Sequence, residues 1–177
     1  MEAPNRRVLG SHAQLLGILY MVLGRKKLNL RKAPASSGGT RIVTVVRRFD
    51  RAPEEVFDPW LDPAKAGRFL FATPDGEMTK VEIDAIPAGR FLIVERRAGE
   101  DVEHVGEYFE IHRPSRLAFT FVVPKYSPVS TRVSIEIEPA KTGCELRLTH
   151  AGVPEGNAAQ TESGWNGILD ALAKVLV

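Results

Sequence analysis

The C-terminal third of the chain constrains the fold most. Alternating segments over Ser115–Val123, Thr131–Ile137 and Cys144–His150 lead through Ala151-Gly152-Val153-Pro154 into one long closing helix. Trp165, Ile168, Leu169, Leu172 and Leu176 fall at i, i+3, i+4, i+7 and i+11, which puts one apolar stripe on that helix. The spacing predicts a helix over 157–176, roughly 30 Å long at about 1.5 Å per residue and so long enough to cross a whole sheet. Asn157 and Gln160 read as a capping pair, and Gly164-Trp165 as the helix's opening, with Trp165 in the first turn. A single stripe must be buried against something, and the strands before it form the available surface. A sheet that curls around this helix leaves a cavity between the two, and function is expected there.

The rest of the chain fits that plan. Arg41–Phe49 is β-rich and reads as a first strand. Pro53-Glu54-Glu55 and Pro63-Ala64-Lys65 each open a short helix, because proline suits a first turn and glutamates complement the helix dipole. The Pro74-Asp75-Gly76 turn ends this helical insert. A meander follows: Met78–Ile83, Arg90–Arg96, Glu103–His112 and Ser115–Val123, then Thr131–Glu138 and Cys144–Thr149. Turns recurring about every 8–12 residues predict one antiparallel sheet, and the fold class is α+β.

Charge divides the chain at about residue 40. Residues 1–40 carry seven basic groups against Glu2, whereas 41–177 carry 17 basic and 21 acidic groups. The acidic balance of the larger part argues against a nucleic-acid surface, which needs clustered positive charge. Leu15–Leu23 is an apolar run of nine residues, short of the about 20 needed to span a bilayer, so stable membrane insertion is not expected. Residues 1–40 read as a flexible basic extension ending in the linker 33–39. A weakly surface-binding amphipathic segment and a secretion signal are the alternatives. The domain is placed at 41–177. One cysteine permits no internal disulfide and points to a reducing, cytoplasmic setting. Cys144 shares strand parity with Leu146 and Leu148 and reads as a buried, inert thiol.

Several segments in this order resemble the SRPBCC (START/Bet v 1-like) superfamily. Within it they look like the branch named for the C-terminal domain of the activator of heat shock protein 90 ATPase. The matching stretches are Arg48–Phe57, Asp62-Pro63, Pro87–Phe91, Gly106–Ile111, Arg113–Thr120, Leu148–Gly152 and Gly164-Trp165. The resemblance covers about 41–177. It implies a helix-grip fold, a curved antiparallel sheet wrapped around a long C-terminal helix with two short helices after the first strand. The branch holds lipophile binders, cyclase-like enzymes, cochaperones and toxin–antitoxin partners. The eukaryotic activator has a separate N-terminal domain for much of its chaperone contact, and the forty residues here are too short to replace it.

Candidate site residues follow from which side chains face the cavity. His150 shares a strand face with Cys144, Leu146 and Leu148. It is either a polar anchor or acid/base in an apolar cavity, or a structural histidine bonded to backbone. Trp165 either walls a ligand pocket with its indole N–H or packs helix to sheet. Trp60, Phe69, Phe71, Phe91, Tyr108, Phe119 and Phe121 line the cavity or form plain core, with Leu169 on the helix stripe. Glu107 and Glu110, three apart in a strand, are expected on opposite faces and not as a catalytic pair. The four histidines lack zinc-site spacing, and neither a nucleophile elbow nor a P-loop is present. No metal or cofactor is therefore expected. Three functions are consistent with this reading. The cavity holds a small apolar or amphipathic ligand, or the domain docks a protein partner such as a chaperone, or a cyclase- or hydrolase-type enzyme uses the same cavity.

Overall fold

A computed structural model describes residues 39–177. The expectations for the basic extension fall on residues outside that range. β1 (Thr40–Phe49) is followed by α1 (Pro53–Phe57), a 3-10 turn (Asp58–Trp60) and α2 (Pro63–Ala66). β2 (Glu77–Ile83), β3 (Arg90–Arg97), β4 (Glu100–His112), β5 (Arg116–Val123), β6 (Ser127–Pro139) and β7 (Cys144–Pro154) come next. A second 3-10 turn leads into α3 (Ala158–Val175). The strands form one seven-stranded sheet in the order β1-β7-β6-β5-β4-β3-β2, antiparallel throughout. The sheet curves around α3, and this is the helix-grip α+β architecture.

The helices begin where local chemistry places them. Pro63 opens α2, and the Asp62 carboxylate accepts from the Ala64 N–H at 3.0 Å. Pro53 opens α1, where the Glu55 carboxylate accepts from the Ala52 N–H at 3.0 Å. At α3 the expected cap is absent: Asn157 makes no side-chain capping bond. The helix starts at Ala158, so Trp165 lies two turns inside it and not in its first turn.

Trp165, Leu169 and Leu172 are buried, with Ile168 and Leu176 packed partly buried beside them. Across from them the inward face of β7 buries Cys144, Leu146, Leu148 and His150. Burial pushes the Cys144 thiol up from its ordinary value, against thiolate chemistry.

Bulges, among them those in β7 and β4, change the faces that simple alternation assigns. β7 does not end at His150. It runs to Pro154, with Gly152 in the left-handed region at φ 85° as the extra residue opposite Arg41/Ile42. With this bulge Ala151, Val153 and Pro154 stay paired with β1. In β4 the register slips between Tyr108 and Glu110. Phe109 and Glu110 therefore both face outward, and Glu107 and Glu110 share the outer face. That corrects their expected opposition. Each is held by an arginine there, Glu107 by Arg90 and Glu110 by Arg116.

Candidate functional site

At one end of the sheet–helix interface lies an open cleft of about 210 Å³, lined among others by Phe71, His104, Phe121, His150 and Trp165. Its floor follows from strand parity. Val102, His104 and Tyr108 point inward from β4, as do Phe119 and Phe121 from β5. His104 and Phe121 are within 12° of parallel with centroids 6.2 Å apart. Phe71 is within 4° of His104 at 4.4 Å and within 13° of Phe121 at 4.9 Å. Were Phe71 sandwiched between the other two rings, those would stand at least about 7 Å apart, twice the closest carbon contact. They stand closer. His104 and Phe121 therefore lie side by side as a platform, and Phe71 covers both. Trp165 leans over the same cluster, tilted 59° to Phe71 and 58° to Phe121.

A directed hydrogen-bond chain fixes His150. The Trp165 indole N–H donates to His150 Nδ1 at 3.0 Å. An indole only donates, so Nδ1 carries the lone pair and the neutral ring has its proton on Nε2. Nε2–H donates to Thr131 Oγ1 at 2.7 Å, and the Thr131 hydroxyl donates to the Phe121 carbonyl at 2.9 Å. Burial lowers the His150 pKa to about 4. The geometry acts in the same direction, because a proton on Nδ1 would face the indole N–H. His104 is also held neutral, lowered to about 4 by burial first and by the Arg97 charge next. Its Nδ1 lies 3.3 Å from the Ile93 carbonyl oxygen, the arrangement of a ring N–H donating to it.

The third part of the site is a charged node that the sequence reading passed over. β3 turns Phe91, Ile93, Glu95 and Arg97 to one face, and Glu95 is fully buried. Burial by itself would raise the Glu95 carboxyl. Thr73 donates to it from both N–H and hydroxyl, the latter at 2.6 Å, and the Arg97 Nε–H donates to its other oxygen. These bonds prevail, and the carboxyl sits below its usual range. Gly76 completes the cradle, since a Cβ there would lie 1.9 Å from Glu95 Oε1. Arg97 Nη2–H also donates to the Phe71 carbonyl at 3.0 Å. Phe71 itself sits in the left-handed region at φ 62°, an uncommon place for a bulky residue. The node thus anchors the segment from Phe71 to Gly76 beside the cleft.

Of the residues expected to line a cavity, Phe71, Phe121, His150 and Trp165 meet at this cleft. Phe91, Tyr108 and Phe119 form a separate cluster with centroids 5.4–6.0 Å apart. Tyr108 is buried there, and desolvation holds its hydroxyl well above the usual phenol range. Trp60 packs edge-on against Phe69 at 5.2 Å, and its buried indole N–H has no partner among the described residues. Leu169 is fully buried core. His104, Glu95 and Arg97 were missed. The parity of β4 with Val102 and Tyr108 was the available clue for His104. For Glu95 the clue was its alternation with Phe91 and Ile93.

The two neutral histidines predict a pH dependence. Both have folded values lowered to about 4 from 6.5. As pH falls below 6.5 the unfolded chain takes up protons that the folded chain refuses, so stability drops towards about pH 4. The expected slope is about 1.4 kcal/mol per pH unit for each histidine inside that window. Urea unfolding between about pH 7 and about pH 5 measures it, and a flat profile would contradict the neutral assignment.

Among the described residues no group of three or more His, Cys, Asp or Glu is placed to hold a metal ion. None of their helices is long and apolar enough to cross a membrane. No curated protein matches the sequence. Solved structures do match in fold. A Chromobacterium violaceum protein aligns with TM-score 0.71 and 23% identity over 76% of this chain and 96% of its own. An AHSA1-like protein from Aeromonas hydrophila aligns with TM-score 0.68 and 21% identity over 77% of this chain and 92% of its own. A Staphylococcus aureus protein gives TM-score 0.71 and 15% identity over 79% and 95%. The profile of the family described as Activator of Hsp90 ATPase homolog 1-like protein matches residues 50–177. With that match over most of its length and the helix-grip architecture beneath it, the chain belongs to the Activator of Hsp90 ATPase homolog 1-like family.

Proposed function

We propose that this START-like domain binds a small, flat, apolar molecule in the cleft between the sheet and α3. The observation that carries this reading is the open aromatic cleft itself: the His104–Phe121 platform and Trp165 bound about 210 Å³. That volume lies below the range of about 300–1,000 Å³ for drug-sized ligands, which suits one or two fused rings. The two neutral histidines add no charge to the cleft at neutral pH, and the Arg97 guanidinium beside it is paired with the Glu95 carboxylate. A role as binder is favoured over catalysis at His150, because both of its ring nitrogens are already engaged. A chaperone-partner role finds no comparable support in the site's geometry.

Native mass spectrometry of the full chain, beside a denatured control, tests the proposal. The expected result is a retained small molecule that is lost on unfolding or, for protein purified empty, a one-to-one adduct with added indole. Failure to hold any molecule, indole included, would overturn it.

A further inference from the structure

We infer that Phe71 is an internal stand-in for the ligand, and that the site takes aromatic carbonyl compounds of the arrangement ring–C–C–C=O. This rests on the cleft being a ligand site. Three observations converge on it. The Phe71 ring lies over the two-ring platform of His104 and Phe121, where a flat guest would stack. Its backbone carbonyl accepts from Arg97 Nη2–H at 3.0 Å. Between ring and oxygen lie Cβ, Cα and the carbonyl carbon, so one residue presents an aryl group and an acceptor at a fixed separation. The third observation is the backbone: at φ 62° Phe71 is held in a conformation that bulky residues rarely adopt.

A chain that holds a strained aromatic residue over an aromatic platform has a built-in exchange. Withdrawal of Phe71 uncovers the platform and relieves the left-handed backbone, and a guest then restores the stack. Arg97 is fixed for the same task. Its Nε–H is bound to the buried Glu95 carboxylate and its Nη2–H to Phe71, while Nη1 has no partner among the described residues. The guanidinium is thus oriented, partly exposed and lining the cleft. Glu95 offsets its charge, so the acceptor it receives is a neutral carbonyl or a carboxylate, and the test separates these.

The experiment titrates the full chain with 4-phenyl-2-butanone, 3-phenylpropanoate and butylbenzene. They share the aryl chain and differ in the acceptor: neutral, anionic and none. One or both oxygen compounds are expected to bind about tenfold or more tighter than butylbenzene, the scale of a hydrogen bond to a charged group. The tighter of the two identifies the acceptor. Phe71→Gly removes the stand-in and suits the left-handed backbone. It is expected to tighten the preferred compound by about tenfold, because the competing ring is gone while the backbone carbonyl remains. Equal binding of all three would overturn the carbonyl requirement, while leaving the cleft as a ligand site. Unchanged or weaker affinity in a folded F71G would overturn the stand-in. Binding of none, by either protein, would overturn both this inference and the ligand-site reading. If F71G does not fold, the three-compound comparison on the unaltered chain still decides the carbonyl requirement.

Discussion

Replacing Trp165 with alanine is expected to lower the unfolding free energy by about 3–5 kcal/mol, the range for emptying a buried large aromatic site. Three contacts fail together. The indole packs α3 against the sheet at 3% exposure. It leans over Phe71 and Phe121, and it supplies the only donor that His150 Nδ1 has among the described residues. Chemical unfolding of the full chain measures the loss. Trp165→Phe separates the terms. It keeps most of the bulk and deletes the N–H, so it is expected to cost about 1–2 kcal/mol. With no indole N–H opposing it, Nδ1 can accept a proton. The acid loss of stability in W165F should therefore be smaller and level off at a higher pH, because the folded state now takes up the proton at a higher pH and the gap to the unfolded value narrows. An unchanged pH profile would show that the indole does not control the His150 titration.

Arg97→Ala is the second large effect. It leaves the fully buried Glu95 carboxylate without its cationic partner, and breaking a buried pair by removing one side costs about 3–5 kcal/mol. The expectation is the low end, about 3 kcal/mol, because Thr73 still donates twice to that carboxylate. The double variant E95Q/R97A should recover part of the loss, since glutamine carries no charge and its amide oxygen still accepts from Thr73. If the two single losses simply add, the pair is not coupled and Glu95 is stabilised by Thr73 alone. The same variant frees the Phe71 carbonyl. Proteolysis of the segment from Phe71 to Gly76 should therefore rise in R97A before global unfolding.

The fold was largely legible because its signals are periodic. The i, i+3, i+4, i+7 stripe on α3 and the turns between β2 and β7 act locally, and each is visible in a short window of sequence. Irregularities were less legible. The strand expected to end at His150 runs on to Pro154, because pairing with β1 accommodates Gly152 as a bulge. The extra residue in β4 moved Glu110 to the face of Glu107, an outcome set by the partner strand and not by spacing. The absent cap at Asn157 shows the same limit, because a side chain suited to a cap still depends on the direction in which the chain enters the helix.

By itself the sequence determined the order of elements, the inward face of β7 and the apolar stripe that the sheet must cover. Hydrophobic periodicity is a property of consecutive residues, and burial follows it wherever a strand stays regular. Only the tertiary structure decided which inward side chains meet. It separated Phe91, Tyr108 and Phe119 from the cleft, placed His104 beside Phe121 as a platform, and paired Glu95 with Arg97 and Thr73. Those contacts join β3, β4, β5 and the segment after α2. Strand order, register and bulges bring them together, and none of these is encoded in any one stretch of the chain.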